Sequence, residues 1–114
     1  MNYRLFVTHN FEKEAKRLVK KYASLKQELA ELQNQLLSNP KQGTPIGKGA
    51  YKIRLAVNSK GKGKSGGMRI ITLVEVDILI KDVTNIFLLS IYDKSEVANI
   101  SPDELKRLIV SKYN

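Results

Sequence analysis

The middle of the chain runs Ala50-Tyr51-Lys52-Ile53-Arg54-Leu55-Ala56-Val57. Tyr51, Ile53, Leu55 and Val57 alternate with Lys52, Arg54 and Ala56, and a period of two belongs to a strand with one buried face. The other face presents two cations about 7 Å apart, the spacing of residues i and i+2 along a strand. A half-buried strand with a cationic face therefore sits at the centre of the chain.

Residues 68–76 and 86–92 are rich in β-branched and aromatic residues and read as two further strands. Residues 78–82 read as a strand continuation leading into a turn near 82–85. Three consecutive strands on short links predict an antiparallel meander. On the N-terminal side, residues 3–8 read as a short strand, and Asn10 offers a cap for a helix whose apolar face is Phe11, Ala15, Leu18, Val19 and Tyr22. Ser24 and Gln27 form a capping-box pattern ahead of a second helix, with Leu25, Leu29, Leu32 and Leu36 on one side and Asn39-Pro40 as its stop. The leucine spacing is heptad-like but spans too few turns for a coiled coil. At the other end, Ser101, Pro102 and Glu104 supply cap, first-turn proline and box glutamate for a last helix through Leu105, Leu108 and Ile109. The expected order is strand, two helices, three strands, helix, in one α+β domain covering residues 1–114.

The charge is localised. Between Glu31 and Glu75 there is no acidic residue, while Lys41, Lys48, Lys52, Arg54, Lys60, Lys62, Lys64 and Arg69 nearly account for the net charge of +9. A local positive field of this kind attracts phosphate-rich polymers and acidic protein partners. Cysteine is absent, which excludes disulfides, thiolate metal sites and a cysteine nucleophile. The first ten residues lack the layout of a signal peptide and no apolar run approaches a membrane span, so a cytoplasmic location without membrane contact is expected.

Gly63-Lys64-Ser65 ends a glycine-lysine loop and invites a nucleotide-binding reading, but the required glycine five residues before Gly63 is Asn58, and strand rather than helix follows. Glycine lets such a loop approach a polyanion backbone closely, and lysine supplies adaptable charge. The single histidine, His9, reads as a surface or capping residue, and Glu75 with Asp77 is a weak metal signal more typical of a solvated edge. No metal or cofactor is expected. The remaining acid-base equipment is Lys52, Arg54, Arg69, Tyr92 and Lys94. Crowded cations disfavour one another's charge and bring an amine into range for proton transfer, while nearby arginines stabilise charge growing on a phosphate. That chemistry suits RNA cleavage by the substrate's own 2′-hydroxyl.

Tyr51-Lys52-Ile53-Arg54-Leu55, the loop Lys60-Gly61-Lys62-Gly63-Lys64-Ser65-Gly66-Gly67, Arg69-Ile70-Ile71, and Ile86-Phe87-Leu88-Leu89-Ser90-Ile91-Tyr92-Asp93-Lys94-Ser95-Glu96 together resemble a toxin of the RelE/ParE superfamily, closest to its HigB-like branch. The resemblance covers nearly the whole chain. It implies a small twisted antiparallel sheet packed on an N-terminal helical hairpin, with a C-terminal helix, and ribosome-dependent cleavage of mRNA. It gives Lys52 and Arg54 the role of holding and activating the RNA, Arg69 that of stabilising the scissile phosphate, and places Tyr92 and Lys94 beside the site. Lys41, Lys48, Lys60, Lys62 and Lys64 are then the expected RNA or ribosome contacts. The implied partners are the ribosome, mRNA and an adjacently encoded antitoxin of helix-turn-helix type, with DNA reached only through that antitoxin. Ala98 and Asn99 stand where the RelE branch has a tyrosine, and Thr72 where it often has an aromatic, so the general base stays open. Two other readings remain: a ParE-like gyrase inhibitor of the same fold, against which the basic set counts, and a non-enzymatic basic nucleic-acid-binding module, for which stacking aromatics are scarce.

Overall fold

Residues 2–61, 63 and 66–113 are described by the structure, a computed structural model. The elements run β1 (Asn2–Val7), α1 (His9–Lys21), α2 (Leu25–Ser38), β2 (Thr44–Gly47), β3 (Ala50–Leu55), β4 (Met68–Val76), β5 (Val83–Asp93) and α3 (Pro102–Val110). They build a five-stranded sheet in the order β1-β5-β4-β3-β2. The α+β class, the helical hairpin and the β3-β4-β5 meander match the sequence expectation. The sheet, however, is mixed: β1 pairs parallel to β5, and β2 adds an antiparallel edge beside β3. A parallel partner so far away in sequence leaves no local trace, and β2 is a four-residue strand containing Pro45, a composition that reads as loop.

Three layers result. Leu18 of α1 and Leu25, Leu29, Leu32 and Leu36 of α2 are buried with Ile53, Met68, Ile70, Leu88 and Ile91 of the sheet. On the opposite face, Leu105 and Leu108 of α3 cover Ala50, Ile71, Leu73, Phe87, Leu89 and Tyr92. Both sheet faces are therefore dry where helices lie, and every residue of β5, the strand between β1 and β4, is buried.

Several local expectations are corrected. The cap of α1 is Thr8 rather than Asn10: its hydroxyl accepts from the Phe11 amide. Asn10 lies inside the helix, and its side chain donates to Leu89 O. Ser24 does precede α2, but it makes no side-chain cap; its hydroxyl bonds Glu28 and Ser59 instead, so the capping box with Gln27 does not form. Residues 78–82 are a turn and not strand, because the Asp77 carboxylate accepts from the Leu79 and Ile80 amides and bends the chain immediately after β4. These bonds, with that from Asn85, hold the Asp77 carboxyl below its usual range. Ser101 caps α3 as expected, accepting from the Glu104 amide.

β1 ends at Val7 opposite Leu88, leaving the last residues of β5 without a ladder partner on that side. Side chains of α1 take over. The Thr8 hydroxyl donates to Leu88 O, Asn10 to Leu89 O, and the Glu14 carboxylate accepts from the Ser90 hydroxyl and the Ile91 amide. Burial raises the Glu14 pKa, against the lowering effect of these bonds.

Candidate active site

Between β4 and β5 the register slips: Ile71 faces Ser90, but Thr72 faces Leu88. Leu89 is the extra residue of a β-bulge, and its insertion reverses the in-out parity of everything after it. Phe87 and Leu89 pack toward α3, and so does Tyr92, while Leu88 and Ile91 pack toward the hairpin. An unbroken strand would have put Ile91 on the α3 face and Tyr92 against the hairpin. The bulge thus brings Tyr92 onto the face of Arg69.

That face carries the candidate site. Arg54 of β3 lies opposite Arg69 of β4, which lies opposite Tyr92 of β5, so the three form one cross-strand row. Lys52 stands two residues from Arg54 on the same face, as the alternation of β3 requires. Arg54 is exposed, whereas Arg69 is 4% and Tyr92 7% exposed. Arg69 donates to the Met68 carbonyl at 3.2 Å. The Tyr92 hydroxyl is buried and has no well-formed hydrogen bond among the described residues. Burial raises its pKa; the Arg69 charge and the Ile100 backbone oppose that shift without cancelling it.

The segment following β5 folds back over the row. Lys94 Nζ donates to Ala98 O at 2.9 Å, and Lys52 Nζ to Asn99 Oδ1 at 3.3 Å. Four of the five sequence-predicted catalytic residues therefore share a row or its flank, and Lys94 is held to the same short segment that holds Lys52. Two amines held to one short segment, a cross-strand pair of arginines and a neutral phenol are groups that can bind a phosphate, neutralise developing charge and relay protons.

The expected RNA-binding lysines divide. Lys48, in the turn between β2 and β3, is exposed and borders the same cavity as Lys52. Lys41 is exposed on the connection ahead of β2, outside the row. Lys62 and Lys64 lie outside the described residues. Lys60 is turned inward: its side chain is 6% exposed and pairs with Asp93, itself fully buried, at 3.1 Å. It also donates to Gly66 O, so this lysine ties the loop to the end of β5 and does not present its charge to a ligand. Asp93 further accepts from the Tyr22 hydroxyl, the Ser95 amide and the Ser95 hydroxyl. Burial works against the Asp93 charge, but these donors outweigh it and hold the carboxyl far below the usual range.

Asp93 and Asn99 are the residues that sequence reading missed. Nothing around Asp93 in the sequence marks it out, and its burial depends on contacts from the loop and from Tyr22, just past α1, that no local pattern encodes. Asn99 stood at a departure from the RelE pattern, and that departure was the available signal. His9 is exposed at the start of α1, Glu75 pairs with Lys112, and Asp77 with Arg4. Among the described residues no cluster of three or more metal-ligating side chains occurs.

Gly67 fixes where the loop rejoins the sheet. A Cβ at this position would lie 2.1 Å from Leu55 O, and Gly67 O accepts from the Lys94 amide at 3.1 Å. Gly67→Ala must push β3 and β4 apart, and a loss of about 1–3 kcal/mol is expected. Urea unfolding of the variant checks this; an unchanged midpoint would show that the loop junction yields freely.

A mixed sheet sandwiched between a helical hairpin and a third helix, with a basic row on one face, defines a small basic α+β protein. The family model described as the RelE toxin of the RelE / RelB toxin-antitoxin system matches residues 3–112. The chain belongs to this family: it is a toxin of a toxin-antitoxin system, and an antitoxin is its implied partner. Among the described residues no helix is long and apolar enough to cross a membrane.

Proposed function

We propose that this toxin is a ribosome-dependent mRNA endoribonuclease of the HigB-like type, acting in the cytoplasm without metal or cofactor. The observation that carries this reading is the cross-strand row Arg54-Arg69-Tyr92 with Lys52 on its flank. The RNA 2′-oxygen attacks the adjacent phosphorus, the bond from phosphorus to the 5′-oxygen breaks, and a 2′,3′-cyclic phosphate and a 5′-hydroxyl result. One proton leaves the 2′-hydroxyl and one reaches the departing 5′-oxygen. Arg54 and Arg69 hold the charge that grows on the phosphate. Lys52, Lys94 and Tyr92 are the proton-handling groups, and Tyr92, kept neutral by burial, is suited to donate rather than to accept. A site with so few strong bases leans on positioning, and the ribosome supplies it by holding the message in one geometry. Lys41, Lys48, Lys62 and Lys64 add contacts to RNA or ribosome. The antitoxin is of helix-turn-helix type and adjacently encoded, and DNA is reached through it alone.

Expression without antitoxin is expected to arrest growth and translation, with primer extension finding new mRNA ends only on translated messages. Equal cleavage of naked RNA would contradict ribosome dependence. Growth arrest with intact messages would favour gyrase as the target.

A further inference from the structure

Beside Lys52, the sheet and the N-terminal end of α3 enclose a cavity of about 290 Å³. Ile46 of β2, Ile100 just ahead of α3 and Leu105 within it form apolar walls, and Lys48, Lys52 and Asn99 stand around the cavity. Pockets for drug-sized ligands run from about 300 to 1,000 Å³, so this one has room for a single flat ring system and not for a dinucleotide. Its walls are apolar, its rim is cationic, and Lys52 belongs to both the cavity and the cleavage site.

Asn99 gives the cavity a polar reader. Lysine can only donate, so the Asn99 atom that meets Lys52 Nζ at 3.3 Å is the amide oxygen. Asn99 lines the cavity, and with its oxygen engaged the NH2 group is the donor left to it for a ligand. Single-stranded RNA is read in this manner, by unstacked bases set between apolar or aromatic groups and hydrogen-bonded along their edges. Resting on the cleavage reading above, we infer that this cavity seats one nucleobase of the message flanking the cut bond, with Asn99 donating to an acceptor on its edge. Lys48 and Lys52 would take the phosphate attached to that nucleotide. Asn99 is accordingly a specificity-determining residue, and it also orients Lys52.

The two roles of Asn99 separate in Asn99→Asp, which keeps an acceptor for Lys52 and removes the NH2 donor. Methyl NMR of the full chain, titrated with AMP, GMP, CMP and UMP, should show saturable shifts at Ile46, Ile100 and Leu105 with at least one of the four. Ribose 5-phosphate, which lacks the base, should leave these methyls in place. Asn99→Asp should weaken the preferred nucleotide about fivefold. Mapping mRNA ends on translating ribosomes should then show the cuts this variant makes, whatever their overall rate, with the base preference flattened at one position next to the cut. The proposal is overturned if no cavity methyl responds to any nucleotide, if ribose 5-phosphate produces the same shifts, or if Asn99→Asp binds all four as the parent does. Nucleotide binding by a protein that cuts no message would refute the cleavage reading and leave the cavity assignment standing. A silent cavity in an active nuclease would do the reverse.

Discussion

Replacing Asp93 with alanine is expected to destabilise the fold by about 3–5 kcal/mol, the range for breaking a buried ion pair by removing one partner. The carboxylate is fully buried and the Lys60 side chain is 6% exposed, so the variant leaves an ammonium in a dry site. It also strips the Tyr22 hydroxyl of its partner, and the Ser95 hydroxyl and amide of theirs. Because total stability of a small domain is only about 5–15 kcal/mol, the loss should be plain in urea unfolding. Lys60→Met should cost a similar amount for the mirror-image reason. Lys60→Met combined with Asp93→Leu should recover much of it, since a well-packed apolar pair is often neutral in place of a buried ionic one. A loss under about 1 kcal/mol in Asp93→Ala would mean that the pair is as weakly coupled as an exposed one.

The same pair gives the fold an acid limit. The folded pKa of Asp93 lies below its ordinary value of 3.8, so its stabilisation is complete above that value and fades as the pH falls beneath it. Wild type should lose stability faster than the double variant between about pH 4 and pH 2. Parallel acid curves for the two proteins would show that other carboxylates dominate.

What the sequence disclosed, and what it hid, follows from the range of the interactions involved. The leucines of α2, the alternation of β3 and the cap of α3 are local patterns, and each maps directly onto a buried face or a hydrogen bond. The parallel pairing of β1 with β5 joins residues about eighty positions apart, and nothing in either strand announces its direction. For the site, Lys52, Arg54 and Arg69 were legible because neighbouring strands of a meander bring them together. Tyr92 reaches the same face only through the bulge at Leu89, a one-residue slip that an apolar run such as 86–89 conceals. Lys60 shows the opposite limit: as sequence it is one more loop cation, and its burial becomes visible only when Asp93 is seen beneath it.

Arg69→Lys is expected to lower the rate of message cleavage by about 10²–10³-fold, the usual result of removing one preorganised donor from a developing oxyanion. The row places Arg69 between exposed Arg54 and buried Tyr92, at the border between the solvent side and the dry side of that sheet face. A planar fork in that position can hold two phosphate oxygens at once, whereas a lysine brings a single point charge on a flexible stem. Arg69 is also nearly buried and donates to Met68 O, so the substitution will cost some stability. The two effects are separable. Cleavage measured on stalled ribosomes, well below the variant's unfolding temperature, reports the lost donor, and urea unfolding reports the lost packing. A rate that falls only as far as the folded population falls would make Arg69 a structural arginine. A rate near that of wild type would take it out of the cleavage mechanism altogether and leave Arg54 and Lys52 to hold the phosphate.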